Sequence, residues 1–299
     1  MRSVLVAGLL AGVVLGGALA LVSILSPPGT SVGQTAVLVG AGDIAGCEGG
    51  SDEATARLVD SIPGTVFTLG DNAYPDGSLE QLMTCYGPTW GRHLDRTRPA
   101  IGNHDYLTDA GLPYFDYFGD RAGPRSAGWY SYEAGAWHVV VLNSVCFDEP
   151  QLCPPGDAQV EWLQADLAAH PTTCLLAYWH APRFSSGSEH GGAAEVQPLW
   201  EAVHAAGGEL VLSGDDHHYE RFQPLNANGA PDPAGLRQFI VGTGGGGLRP
   251  LGAVDPRSEF QLADIHGVLR LTLRPGDYDW AFIAEPDGQA LDEGTARCA

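Results

Sequence analysis

Short apolar runs that stop abruptly at turn residues set the rhythm of this chain. Residues 36–40, 65–69 and 174–178 are such runs, a shorter one opens the segment 100–105, and 210–212 reads as the end of another. A brief apolar run bounded by turn residues predicts a buried strand. Helical stretches lie between them. Residues 51–61 open with Ser51, Asp52 and Glu53, suited to a cap and first turn, and stop before Pro63. Residues 78–86, 90–96, 157–169 and 195–206 read as further helices, and residues 128–133 and 137–143 as a hairpin around Ala134-Gly135. After Arg221 the pattern shifts to alternation, predicting strands at 238–241, 267–273 and 278–283 with a turn at Pro275-Gly276. The aromatic, Gly- and Pro-rich stretch 106–128 reads as a long loop. Beyond residue 34 there is neither an internal repeat nor a second linker, so residues 35–299 are expected to form one domain.

The residues at the ends of the apolar runs point to chemistry. Asp43, Asp71, Asn103, His180 and His217 each sit at the turn where a run ends. Strand ends in α/β sheets are where side chains converge on a crevice. One such residue alone is an ordinary turn former, bonding its own backbone. Five at equivalent positions are the scattered parts of a metal site. Carboxylate, amide and imidazole donors together suit iron, manganese or zinc better than magnesium or calcium, which favour oxygen alone. A carboxylate can also bridge two ions, and a paired site stabilises both attacking and leaving oxygens of a phosphoryl displacement.

Residues 4–25 are apolar or small without a single charge, and Arg2 precedes them. That length can cross a bilayer, while Ala18-Leu19-Ala20 resembles a cleavage site, so residues 1–25 read as a retained anchor or a cleaved signal peptide. Residues 26–34 read as a linker. Either reading places the rest outside the cytoplasm, in keeping with six cysteines. Cys146 and Cys153, flanking a short Pro-containing loop, form the best-placed pair, and the other pairings stay open. A net charge of −21 argues against nucleic-acid binding through a basic face.

In order along the chain, Gly42-Asp43, Gly70-Asp71-x-x-Tyr74, Gly102-Asn103-His104-Asp105, His180-Ala181-Pro182 and His217-x-Tyr219-Glu220-Arg221 resemble the calcineurin-like metallophosphoesterase family. The Tyr74 spacing and the Tyr-Glu-Arg ending point to its purple acid phosphatase branch. The resemblance implies an α/β fold, a four-layer α/β/β/α sandwich of two mixed sheets around a dinuclear centre. It places Asp43, Asp71, Tyr74 and His217 on the first metal, as Fe³⁺ because Tyr74 offers a phenolate. Asp71 would bridge to a second ion, Fe²⁺, Mn²⁺ or Zn²⁺, held with Asn103, His180 and the residue at position 215. His104 would act as general acid and touch substrate, and His190 would contact substrate. Asp105 and Arg221 would orient ligands.

One position departs from the family pattern: Asp215 stands where the family has histidine. We expect Asp215 still to hold the second ion. The Gly-rich run 242–247 has no Lys-Ser or Lys-Thr after it, so it reads as backbone packed beneath the site and not as a phosphate loop. The resemblance implies a phosphatase that hydrolyses phosphomonoesters by in-line attack of a metal-bound hydroxide, its partner a small phosphorylated substrate. The alternatives are a phosphodiesterase of the same fold, or a degenerate domain that binds phosphorylated ligands without catalysis.

Overall fold

The first apolar run forms the strand Ala36–Ala41, central to a six-stranded sheet. The computed structural model describes residues 34–298 apart from 126, 153–155 and 173. The six-stranded sheet runs in the order Gln289–Arg297, Asp277–Ala284, Gly267–Arg274, Ala36–Ala41, Thr65–Leu69, Thr97–Ala100. Its last three strands are parallel and the others antiparallel. A seven-stranded sheet runs Ser258–Leu262, Tyr219–Phe222, Arg237–Val241, Leu210–Ser213, Leu175–Tyr178, Trp137–Val141, Tyr130–Ala134. Four of these, from Arg237–Val241 to Trp137–Val141, are parallel. Helix Ser51–Asp60 packs on the first sheet, and Gly156–Ala169 and Gln197–Ala205 on the second. The fold is the expected α/β/β/α sandwich of two mixed sheets.

Alternate residues of the second sheet serve two cores. Leu176, Tyr178, Leu212 and Phe239 face the first sheet, joining Phe67, Leu69 and Phe282 in one apolar cluster. Ala177, Trp179, Val211 and Ile240 face the other way, onto Leu163, Leu199, Trp200 and Val203 of the outer helices. Burial on both faces is why these strands read as unbroken apolar runs. The same alternation turns His180, two residues beyond Tyr178, toward the first sheet.

Several expectations shift. Residues 106–128 are not a bare loop, because Leu112–Phe118 is a helix with Pro at its start and with Tyr114, Phe115 and Phe118 buried. Proline belongs in a first helical turn, where its missing N–H is no loss. The 78–86 stretch divides into a short α-helix, Leu79–Gln81, and a π-helix, Leu82–Tyr86. Strands Ser258–Leu262 and Gln289–Arg297 carried no clear apolar signal, and of Thr97–Ala100 only the last residue belonged to the apolar run before Gly102-Asn103; all three are sheet edges. Edge strands keep one side in water and tolerate polar residues and proline.

Disulfides join Cys47 to Cys85 and Cys174 to Cys298. The latter ties the second sheet to the last strand of the first. The expected Cys146–Cys153 pair involves residue 153, which lies outside the described residues, as do the N-terminal segment 4–25 and the linker up to residue 33. Among the described residues no helix is long and apolar enough to cross a membrane.

Phe67 and Tyr178 meet across the two sheets, ring centroids 5.9 Å apart, and both are fully buried. Phe67→Ala should therefore destabilise the protein by about 3–5 kcal/mol, as large-to-small core changes do. Denaturant unfolding monitored by tryptophan fluorescence checks this, and a midpoint equal to that of the native chain would contradict it.

Candidate metal centre

The candidate ligands leave their strands at the same edge of the sandwich. Asp43 follows Ala36–Ala41, Asp71 follows Thr65–Leu69, and Asn103 follows Thr97–Ala100. Opposite them His180 follows Leu175–Tyr178, while Asp215 and His217 follow Leu210–Ser213. Asp43, Asp71 and Asp215 all adopt left-handed backbone, with φ of 59°, 49° and 67°. Such geometry is uncommon outside glycine, is least costly for Asp and Asn, and clusters at functional sites. The neighbouring glycines leave room. A Cβ on Gly102 would lie 2.2 Å from Asp71 Oδ1, and one on Gly70 2.5 Å from His180 Nδ1.

Asp71 joins two groups of side chains. On one side the Tyr74 hydroxyl lies 3.0 Å from Asp71 Oδ2, 2.8 Å from Asp43 Oδ1 and 3.0 Å from His217 Nε2. On the other, His180 Nε2 lies 3.4 Å from Asp71 Oδ1, 2.9 Å from Asn103 Oδ1 and 3.4 Å from Asp215 Oδ1. Backbone carbonyls aim both imidazoles. His217 Nδ1 donates to Gly247 O at 2.6 Å, and His180 Nδ1 to Leu69 O at 2.7 Å. Each ring thus turns Nε2 inward, the arrangement that holds a metal-binding histidine in place.

This donor set fits cations. One phenol hydrogen on Tyr74 cannot serve the Asp43 and Asp71 carboxylates at once. Ligand atoms of Asp43, Asp71 and His180 all lie within 4.8 Å of one another in buried surroundings. The electrostatics agree. Burial pulls the His180 imidazole down, but the Asp71 and Asp215 carboxylates override it and raise His180 well above its ordinary value. Burial alone would raise Asp71, yet the charge and hydrogen bond of His180 hold it at about 2. Tyr74 is raised well above the usual phenol value by burial and then by Asp43 and Asp71. A pocket that draws a proton onto a buried imidazole is electrostatically complementary to a positive ion.

The surrounding residues divide by position. Asp105 is fully buried, accepts from Gly102 N and Asn72 Nδ2 at 2.9 Å, and is raised to about 7 by burial and by the charge of Asp71. It fixes the turns that carry Asp71 and Asn103. The backbone N–H of His104 donates to Asp71 Oδ1 at 2.9 Å, and His104 Nδ1 lies 2.6 Å from Pro75 O, leaving Nε2 at the mouth, 3.9 Å from Asp71 Oδ2. His190 is exposed and, with Asn103, Ser144, Asp148, His180 and Asp215, lines a recess of about 100 Å³. The expected orienting role of Arg221 is not borne out. Arg221 faces the first sheet together with Tyr219, but four residues beyond His217, and both bind Asp292 on the last strand. Glu220 points the opposite way and holds Ser186, in the loop that carries His190. The sequence reading also missed Arg249. Its side chain contacts His190 and Glu189, and its backbone N–H donates to His217 O. A lone arginine just after the Gly-rich run was the available signal. That run packs beneath the site as expected, with Gly244 and Gly246 donating to Gly42 O and Asp43 O.

The calcineurin-like phosphoesterase family model matches residues 37–219. Purple acid phosphatase 15 of Arabidopsis thaliana is 26% identical over 258 residues, covering 74% of this chain and 46% of that protein. Purple acid phosphatase 21 of the same plant is 29% identical over 254 residues, covering 74% of this chain and 55% of its own length. The chain thus spans about half the length of these relatives. The solved structure of purple acid phosphatase PPD1 from yellow lupin (Lupinus luteus) seeds shares the fold, with a TM-score of 0.71, 18% identity, and coverage of 90% of this chain and 55% of that one.

The close approach at Gly102 generates a contrast. Gly102→Ala should displace Asp71 and lower bound metal. Gly49→Ala, where nothing lies within 4 Å of the added Cβ, should leave metal content unchanged. Elemental analysis of both purified variants checks this.

Proposed function

This chain belongs to the calcineurin-like phosphoesterase family, and from that premise we propose that it is a metal-dependent phosphatase acting on phosphomonoesters. One observation carries the reading: the Tyr74 hydroxyl stands within hydrogen-bond distance of Asp43, Asp71 and His217 together. Asp43, Asp71, Tyr74 and His217 would hold one ion, Fe³⁺ by virtue of the phenol. Asp71, Asn103, His180 and Asp215 would hold the other, Fe²⁺, Mn²⁺ or Zn²⁺. Bound ions would supply Lewis acidity toward water and the phosphoryl oxygens.

The chain's own groups do the rest. The Pro75 carbonyl fixes the His104 ring so that Nε2 faces the mouth. From there a protonated His104 gives its proton to the departing alkoxide oxygen. His190 and Arg249, in contact at the rim, bind the non-bridging phosphate oxygens as a small cationic clamp. Asp215 Oδ1 lies 3.4 Å from His180 Nε2, so the exchange of histidine for aspartate keeps an oxygen donor among the residues that would hold the second ion. That favours a working centre over a degenerate one. Two disulfides among the described residues support action outside the cytoplasm, as a secreted or anchored enzyme.

Turnover of an aryl phosphate tests the reading. His104→Ala should keep its metal and lose roughly 10²–10⁴-fold in rate on alkyl phosphates, with a smaller loss on aryl esters that need no proton to leave. Asn103→Ala should instead lose metal. The reverse pattern would exchange the two roles, and native protein inactive on every monoester would overturn the proposal. Tyr74→Phe removes only the phenol oxygen. Any visible band of the iron-loaded protein should vanish while its circular dichroism persists, and an unchanged spectrum would remove Tyr74 from the first ion.

A further inference from the structure

At the far end of the second sheet lies another set of metal-type donors. His138 sits near the start of Trp137–Val141 and pairs in register with Leu175. His180 comes five residues after Leu175, so the two ends of the sheet are roughly 16 Å apart at about 3.3 Å per residue. His138 is buried, and both its nitrogens are engaged. Nδ1 lies 2.7 Å from Glu133 Oε1, and Nε2 lies 2.7 Å from Asp166 Oδ2. Asp166 is on the last turns of helix Gly156–Ala169. His170 comes four residues after it, its Nδ1 3.4 Å from Asp166 Oδ1 and 2.9 Å from Asp166 O. Ligand atoms of His138, Asp166 and His170 all lie within 4.8 Å of one another.

We propose that His138 Nε2, an Asp166 carboxylate oxygen and His170 form a third metal site, for a divalent ion of the zinc type, separate from the dinuclear centre. Two imidazoles and one carboxylate, with a fourth position open to water, are a zinc donor set. Glu133 supplies a second, independent indication. A metal-bound histidine nearly always gives its other N–H to a carboxylate or carbonyl, and Glu133 is so placed on Nδ1 of His138. The spacing needs little change. Donors around a tetrahedral zinc stand about 3.3 Å apart for bonds near 2.0–2.1 Å, close to the distance between His170 and Asp166. The ion would open the hydrogen bond between His138 and Asp166 and displace the bond from His170 to the Asp166 carbonyl. The His170 ring stacks on that of His138, centroids 4.7 Å apart, and half of its side chain is exposed, so to bind the ion it would leave that stack and turn inward. An ion held there would fasten the end of helix Gly156–Ala169 to the second sheet. Cys174, whose carbonyl accepts from His138 N–H, is joined by disulfide to the last strand of the first sheet.

Zinc binding at His138, Asp166 and His170 requires no chemistry at the dinuclear centre. Metal-loaded full-length protein is equilibrated with graded micromolar Zn²⁺, and bound metal is counted by elemental analysis. The native chain should take up one further zinc beyond its dinuclear complement. His170→Ala removes an exposed side chain and should lose that zinc, with aryl phosphate turnover and circular dichroism unchanged. Glu133→Gln should bind it about 10–100-fold more weakly, the usual effect of losing an orienting partner. Equal zinc counts for native protein and His170→Ala across the range would overturn the proposal and leave the cluster as a hydrogen-bonded network.

Discussion

A single carboxylate, Asp71, is shared by two groups of polar side chains in a site from which water is largely excluded. One oxygen faces Tyr74, which also reaches Asp43 and His217. The other faces His180, next to Asn103 and Asp215. Asp71 is almost wholly buried, and so are Asp43 and His180. Carboxylates so close and so dry are costly unless positive charge lies between them. Much of the sandwich can be understood as the frame that holds them there. The first sheet contributes Asp43, Asp71 and Asn103, and the second contributes His180, Asp215 and His217. Neither sheet alone supplies a complete set, so the packing of Phe67 against Tyr178 also fixes the distance between halves of the site.

Orientation is fixed mainly by backbone. Leu69 O and Gly247 O each take the Nδ1 proton of a candidate ligand, and Pro75 O positions the ring of His104. Main-chain carbonyls move less than side chains do, so these imidazoles need little reorganisation when an ion or substrate arrives. Asp105 performs the same service for the turns of the first sheet. Glycine at positions 70 and 102 lets those turns come close enough for the second sheet's histidine to reach Asp71.

The parts of this arrangement that recur along the chain were legible in its sequence. Apolar runs ending in Gly-Asp or Gly-Asn mark both the strands and the candidate ligands, because burial on two faces and a tight turn each restrict residue choice locally. Sheet edges were hidden for the opposite reason. Gln289–Arg297 is half in water and needs no apolar pattern, and Thr97–Ala100 accommodates Pro99 because, among the described residues, no strand pairs on its outer side. Helix Leu112–Phe118 was masked by flanking glycine and proline, although its buried aromatic residues decide its position. Arg221 shows how far local reading reaches. Its place beside the candidate ligands in sequence suggested contact, but the strand carries it beyond them to Asp292, more than seventy residues away along the chain. Arg249 and Glu220 were missed because their roles come from loop packing, which no spacing rule encodes.

Anomalous diffraction from a crystal of the metal-loaded protein, collected at the iron, manganese and zinc absorption edges, tests the central claim most directly. The account predicts two peaks flanking the Asp71 carboxylate, one beside Tyr74 and His217 and the other beside His180 and Asp215. A single peak, or metal bound away from Asp71, would contradict it.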